Sequence, residues 1–265
     1  MLAALSGCAS LYALDATAPL RSYGLTAIIL VCMTGAAFSI NDYCDVPQDC
    51  VNHPERPLPS GRLSPRQAWW AAVVLFAVAL GVAWALGPAV WMLVAVSTLL
   101  LWHYSYLLHY SGILGNGIVA GINGAILFLG SLVVGRPWAM LYPMAFLCCY
   151  ALAKEIIWDI HDAEGDRAQG ILTVANQWGM PWAFRVAWTV ILGLMVSIPV
   201  AWQCLPMSHP EWFVAGTSVM IVTLAITLDR YQRFRSVAAY ADMVFWGRVG
   251  MVLGIAGLLG TAPPL

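Results

Sequence analysis

Ser22-Tyr23-Gly24-Leu25-Thr26-Ala27-Ile28-Ile29-Leu30-Val31-Cys32-Met33-Thr34-Gly35-Ala36-Ala37-Phe38-Ser39-Ile40 holds no charged residue and runs straight into Asn41-Asp42-Tyr43-Cys44-Asp45-Val46-Pro47-Gln48-Asp49. The first part is close to the roughly 20 apolar residues that a helix needs to cross a bilayer. The second part hangs three carboxylates on its end. Working outward, further apolar runs fall near 68–86, 88–107, 113–134, 138–157, 182–202, 212–228 and 243–260, and a shorter one at Leu2 to Leu14 makes nine. The chain is 61% hydrophobic and 9% charged, whereas soluble domains carry about 25% charged residues. An all-α, polytopic membrane protein follows, read as one domain over 1–265 because no linker-like stretch divides it.

Charge placement gives the orientation. Net charge is −1, so no basic surface speaks for nucleic acid. Arg56, Arg62, Arg66, Arg167, Arg185, Arg230, Arg233 and Arg235 fall in connections after spans two, six and eight, on one side of a nine-span chain. Only Arg21 and Arg136 fall opposite, so the arginine side is expected to be cytoplasmic. The seven cysteines contain no CxxC pair and read as small buried hydrophobes. Leu5-Ser6-Gly7-Cys8 has the look of a lipoprotein cleavage box, but no basic segment precedes it, and the match is read as accidental. Trp69, Trp70, Trp91, Trp138, Trp182 and Trp212 lie near span ends and read as an interfacial belt.

Nine of the thirteen acidic residues lie in two windows: Asp42, Asp45, Asp49 and Glu55, then Glu155, Asp159, Asp162, Glu164 and Asp166. Both windows repeat aspartate at i, i+3 and i+7, a spacing that puts three carboxylates along one helical face. Such rows repel themselves and resist desolvation, so a cation is needed to compensate them. All-oxygen donors favour a hard ion, and Mg²⁺ binds through one or two carboxylates together with waters and substrate phosphates. The rows end spans two and six, which run in the same direction and therefore face one mouth. Arg56, Arg62 and Lys154 lie close enough in sequence to supply positive charge to a diphosphate there.

Together these segments resemble the UbiA superfamily of intramembrane prenyltransferases, whose motifs look like NDxxDxxxD and DxxDxxxD. Asn52-His53-Pro54-Glu55-Arg56-Pro57-Leu58-Pro59-Ser60-Gly61 is similar to the run after the family's first motif, and Gly165-Asp166-Arg167 with Gly170 and Thr173 to the segment after its second. Tyr104-Ser105 and Gly115-Asn116 resemble two further signatures. The resemblance implies a nine-helix transmembrane bundle around a central cavity, with Mg²⁺ on Asp42, Asp45, Asp49, Asp159, Asp162 and Asp166. It implies a catalytic set of Asn41, Asp42, Asp45, Asp159 and Asp162. It also implies an isoprenyl diphosphate held with help from Arg56, Arg62, Lys154, Tyr104 and Asn116, and a lipophilic acceptor, aromatic or glycerol-lipid, that captures the allylic cation. Lys154-Glu155-Ile156-Ile157 leading into Asp159 looks closer to the glycerol-lipid branch. One departure stands out: Leu107-Leu108-His109 occupies the place where the family commonly has lysine, which leaves His109 as the candidate contact.

Two other functions fit the same residues. A terpene cyclase of this fold would capture the cation with the donor's own double bonds and need no acceptor. A cation transporter would use the intramembrane carboxylates, but the chain lacks the interrupted helices and inverted repeats common in such folds.

Overall fold

The computed structural model describes residues 1–52, 54–104, 111–168 and 170–264. Eleven helices follow one another: α1 Leu2–Leu14, α2 Leu20–Cys44, α3 Val46–Asn52, α4 Pro65–Trp84, α5 Pro88–His103, α6 Gly112–Val133, α7 Leu141–Ala168, α8 Val174–Gln177, α9 Met180–Cys204, α10 Pro210–Phe234 and α11 Val237–Leu259. Two are short, α3 with 7 residues and α8 with 4. The other nine form the expected bundle, and no strand occurs among the described residues. Seven of the nine are long and apolar enough to cross a membrane, while α1 and α5 are shorter apolar helices. In a bilayer only a helix or a closed barrel satisfies its own backbone, so the chain is an integral membrane protein.

Two boundaries differ from the sequence reading, each for a local reason. Motif one does not lie on a single helix: α2 stops at Cys44 and α3 starts at Val46, so Asp45 is a junction residue with φ −85° and ψ 0°. Pro47 lacks an N–H, and its ring would meet the carbonyl of Tyr43, which breaks the helix there. Backbone bonds from Asp45 N–H to Asn41 O (2.9 Å) and from Asp49 N–H to Asp45 O (2.8 Å) keep the chain turning. Motif two shows the reverse. Instead of ending near residue 157, α7 runs for 28 residues and carries Asp159, Asp162 and Asp166 on continuous helix. The first residue beyond it that demands a turn is Gly170, at φ 75°.

Glycines set the closest helix contacts. A Cβ on Gly216 would lie 2.7 Å from Gly257 Cα, and one on Gly257 would lie 2.8 Å from Gly216 Cα. Small residues let membrane helices approach in this way, and α10 and α11 pair along their length. Gly257→Leu should force the pair apart and cost about 1–3 kcal/mol or more. A fall of several degrees in the detergent-solubilised melting temperature is the expected reading, and an unchanged melting temperature would show that the backbones do not meet there.

Candidate functional site

The first row sits at the C-terminal end of α2. Asn41 donates from Nδ2 to Asp45 Oδ2 at 2.7 Å. Past the junction, Arg56 donates from one guanidinium nitrogen to both oxygens of Asp49 at 2.8 and 2.9 Å. Asp49 is buried by this pairing, at 5% exposure, and the hydrogen bond with Asp49 raises the Arg56 pKa further above its ordinary value. Arg56 also lies in the electrostatic field of Asp42 and Asp45, so one guanidinium offsets part of the row's charge and leaves the rest for a cation.

A folded loop holds that arginine in place. Leu58 is buried, and turn bonds join Ser60 N–H to Arg56 O and Leu63 N–H to Pro57 O. Arg62 donates to the Glu55 carbonyl and to Ser60 Oγ, so it braces the loop. Ser64 and Gln67 close a capping box, with Pro65 opening α4. These are the ordinary signals that restart a helix after a loop.

The second row is braced from α6. Asn116, buried at 7% exposure, donates from Nδ2 to Asp159 Oδ2 at 2.7 Å. Close packing of α6 on α7 permits the reach, since a Cβ on Gly124 would stand 2.7 Å from Met144 O. Asp159 shares its surroundings with Asp162 and Asp166. Next to Asp162, the His161 ring stacks on Tyr240 at 3.5 Å, and its Nδ1 is 3.2 Å from the Tyr231 hydroxyl.

Residues of both rows act on Tyr104, the C-cap of α5. Its phenol lies in the fields of Asp45 from the first row and of Asp159, Asp166 and Glu155 from the second. Beneath it opens a cavity of about 480 Å³ lined from α1, α2, α5, α6 and α7. Asn41, Tyr104, Glu155 and Trp158 form its upper wall, and Leu30, Leu93, Ile126 and Leu129 its floor. Among the described residues no three His, Cys, Asp or Glu side chains converge tightly enough to enclose a metal by themselves. The all-oxygen donors of the two rows are of the kind that suits Mg²⁺, which also takes oxygens from waters and phosphate.

Some sequence-picked residues stand elsewhere. Lys154 holds its ammonium 4.8 Å above the Trp158 ring and lines a small cavity with Leu224, Met243 and Val244. Arg248 shares that environment. His109 lies outside the described residues, as do Ser105 and His53. His103 spends Nδ1 on the Leu99 carbonyl at 2.8 Å. Conversely, Glu155 and Trp158 line the cavity without having been picked for the site. Their signal was available, because Glu155 is one turn before Asp159 on the same face.

Fold and site define an integral membrane helical bundle with carboxylate rows set over an apolar chamber. The chain belongs to the UbiA prenyltransferase family, whose sequence profile matches residues 1–249. The digeranylgeranylglyceryl phosphate synthase of Methanopyrus kandleri is 34% identical over 236 residues, 88% of this chain and 83% of that protein. Solved structures share the fold at low identity. One that concerns digeranylgeranylglyceryl phosphate synthase in membranes superposes with TM-score 0.79 at 16% identity, over 99% of this chain and 94% of that one. A UbiA homolog from Archaeoglobus fulgidus bound to GPP and Mg²⁺ gives TM-score 0.72 at 16% identity, over 97% and 95%.

Proposed function

We propose that the whole chain acts as one Mg²⁺-dependent prenyltransferase, moving an isoprenyl group from its diphosphate to a glyceryl-phosphate lipid, with its mouth on the cytoplasmic side. The observation that carries this reading is one largely apolar cavity lined at its mouth by Asn41, which holds Asp45 of the first row, and by Glu155, one turn before Asp159 of the second. Asp42, Asp45, Asp159, Asp162 and Asp166 would hold Mg²⁺, while Asp49 anchors Arg56 beside them. Bound there, the metal would neutralise charge on the departing diphosphate. The cavity takes the isoprenyl chain, and its walls keep water from the allylic cation. The acceptor class is supported by the relatives: a protein 34% identical to this chain is named a digeranylgeranylglyceryl phosphate synthase, the maker of a prenylated glyceryl phosphate. The arginine-bearing connections support the cytoplasmic mouth.

The test is diphosphate release by purified protein given Mg²⁺, an isoprenyl diphosphate and geranylgeranylglyceryl phosphate. Release that needs both metal and acceptor is expected, and chelation should abolish it. Release of diphosphate with a hydrocarbon product and no acceptor would instead establish the cyclase. Absence of release from any donor would remove the enzyme reading altogether.

A further inference from the structure

Asn41, Tyr104, Glu155 and Trp158 form the upper wall of the cavity, between the carboxylate rows and the apolar floor. A donor with its diphosphate at the rows and its chain in the cavity carries its reacting carbon past this wall. Three of the four residues are poorly suited to take a proton there. Asn41 gives its amide to Asp45, an indole only donates, and a neutral phenol is a poor proton acceptor. Glu155 is the one carboxylate among the described residues that line the cavity. It precedes Asp159 by four residues, which sets it about 6 Å deeper along α7 and about 40° from the direction of Asp159.

No protein group neutralises this carboxylate by contact. Asp45, Asp49 and Asp159 each accept a hydrogen bond, from Asn41, Arg56 and Asn116, whereas Glu155 takes part in no hydrogen bond or ion pair among the described residues. Lys154 precedes it in sequence, but consecutive residues of a helix do not face each other, and the Lys154 ammonium stands over the Trp158 ring. Glu155 is half-buried and lines the cavity. An ionisable side chain inside a membrane helix is costly to keep, and such residues mark working sites.

We infer that Glu155 is a catalytic base: its carboxylate takes the proton from the hydroxyl of the acceptor lipid as that oxygen captures the allylic carbon. The inference rests on the prenyl-transfer reading and adds the group that completes it. In this step the acceptor oxygen forms a bond to the donor's first carbon, and the bond from that carbon to the diphosphate oxygen breaks, its electron pair leaving with diphosphate. The O–H proton moves to Glu155 and then to water at the mouth, which restores the carboxylate. An alcohol that keeps its proton gives an oxonium ion that reverts to the cation, so a base within hydrogen-bond reach makes the capture hold. Row carboxylates engaged by a cation would be weak bases, and Glu155 stands one turn clear of them.

The experiment compares wild type and Glu155→Gln with geranylgeranyl diphosphate, Mg²⁺ and two acceptors: geranylgeranylglyceryl phosphate, and its analogue with a thiol in place of the hydroxyl. A thiol with pKa near 8.5 is largely thiolate at about pH 9 and needs no base. Transfer to the hydroxyl should fall about a hundredfold or more in Glu155→Gln, while transfer to the thiolate keeps most of its rate. Ionisation of the donor is read separately, by scrambling of an oxygen isotope from the bridging to the terminal positions of the diphosphate, and should persist in the variant. The Mg²⁺ concentration for half-maximal scrambling should stay where it is. Equal loss on both acceptors, lost scrambling or a raised Mg²⁺ requirement would assign Glu155 to the cation or the metal and overturn the base. Unchanged transfer to the hydroxyl would hand the proton to diphosphate and overturn it too. Should Glu155→Gln not fold, Glu155→Asp, which keeps the charge at shorter reach, must show the same split to a smaller degree. A wild type that releases no diphosphate from any donor overturns the underlying transfer reading instead.

Discussion

Asp159→Asn is expected to lower kcat/KM by about a thousandfold, near 4 kcal/mol of transition-state stabilisation. The substitution keeps size and shape and removes one negative charge. That charge is the residue's contribution, because the departing diphosphate is neutralised by metal that carboxylates hold, and an amide holds Mg²⁺ weakly. Stability should move the other way. Asp159 lies in a row with Asp162 and Asp166, so removing its charge relieves repulsion in the metal-free protein. A raised melting temperature alongside lost activity is the signature of a site maintained against stability. Asp229→Asn supplies the control: its i,i+4 pair with Arg233 on α10 is exposed, such pairs contribute little, and activity should stay within about twofold. Diphosphate release at saturating Mg²⁺ and thermal melting in detergent measure both. A fully active Asp159→Asn would mean that the second row merely solvates a helix end.

The legibility of this site in the sequence followed helical arithmetic. Aspartates at i, i+3 and i+7 are readable as a row because the period of 3.6 residues fixes their common face, and α7 obeys it without interruption. The same arithmetic bears on Lys154: five residues before Asp159, it is rotated about 140° from it, and the structure places its ammonium over Trp158. The break at Asp45 was legible from Pro47, whose missing N–H acts on the preceding turn. Other features were beyond reach. The grip of Arg56 on Asp49 crosses a loop whose path depends on burial of Leu58 and on turn bonds, and no periodicity encodes that.

Asn116 carries the second large expected effect, and the geometry separates two roles for it. A substrate contact would make Asn116→Ala raise the KM for the donor and leave the Mg²⁺ requirement alone. The 2.7 Å bond from Nδ2 to Asp159 Oδ2 argues for the other role: a buried amide that fixes one carboxylate oxygen and leaves its partner for a cation. Groups that orient metal ligands typically alter metal affinity by 10–100-fold when removed. Asn116→Ala is therefore expected to raise the Mg²⁺ concentration for half-maximal activity by about 10–100-fold, with kcat largely recovered at saturating metal. Mn²⁺ binding followed by electron paramagnetic resonance, in the presence of a thiodiphosphate, reads the same affinity without turnover. Asn41 makes the equivalent 2.7 Å bond to Asp45 in the first row, so Asn41→Ala should shift Mg²⁺ dependence in the same direction. Because each clamp acts on a different row, the two losses should multiply in the double variant. A double variant no worse than either single one would place both asparagines on one metal-binding event.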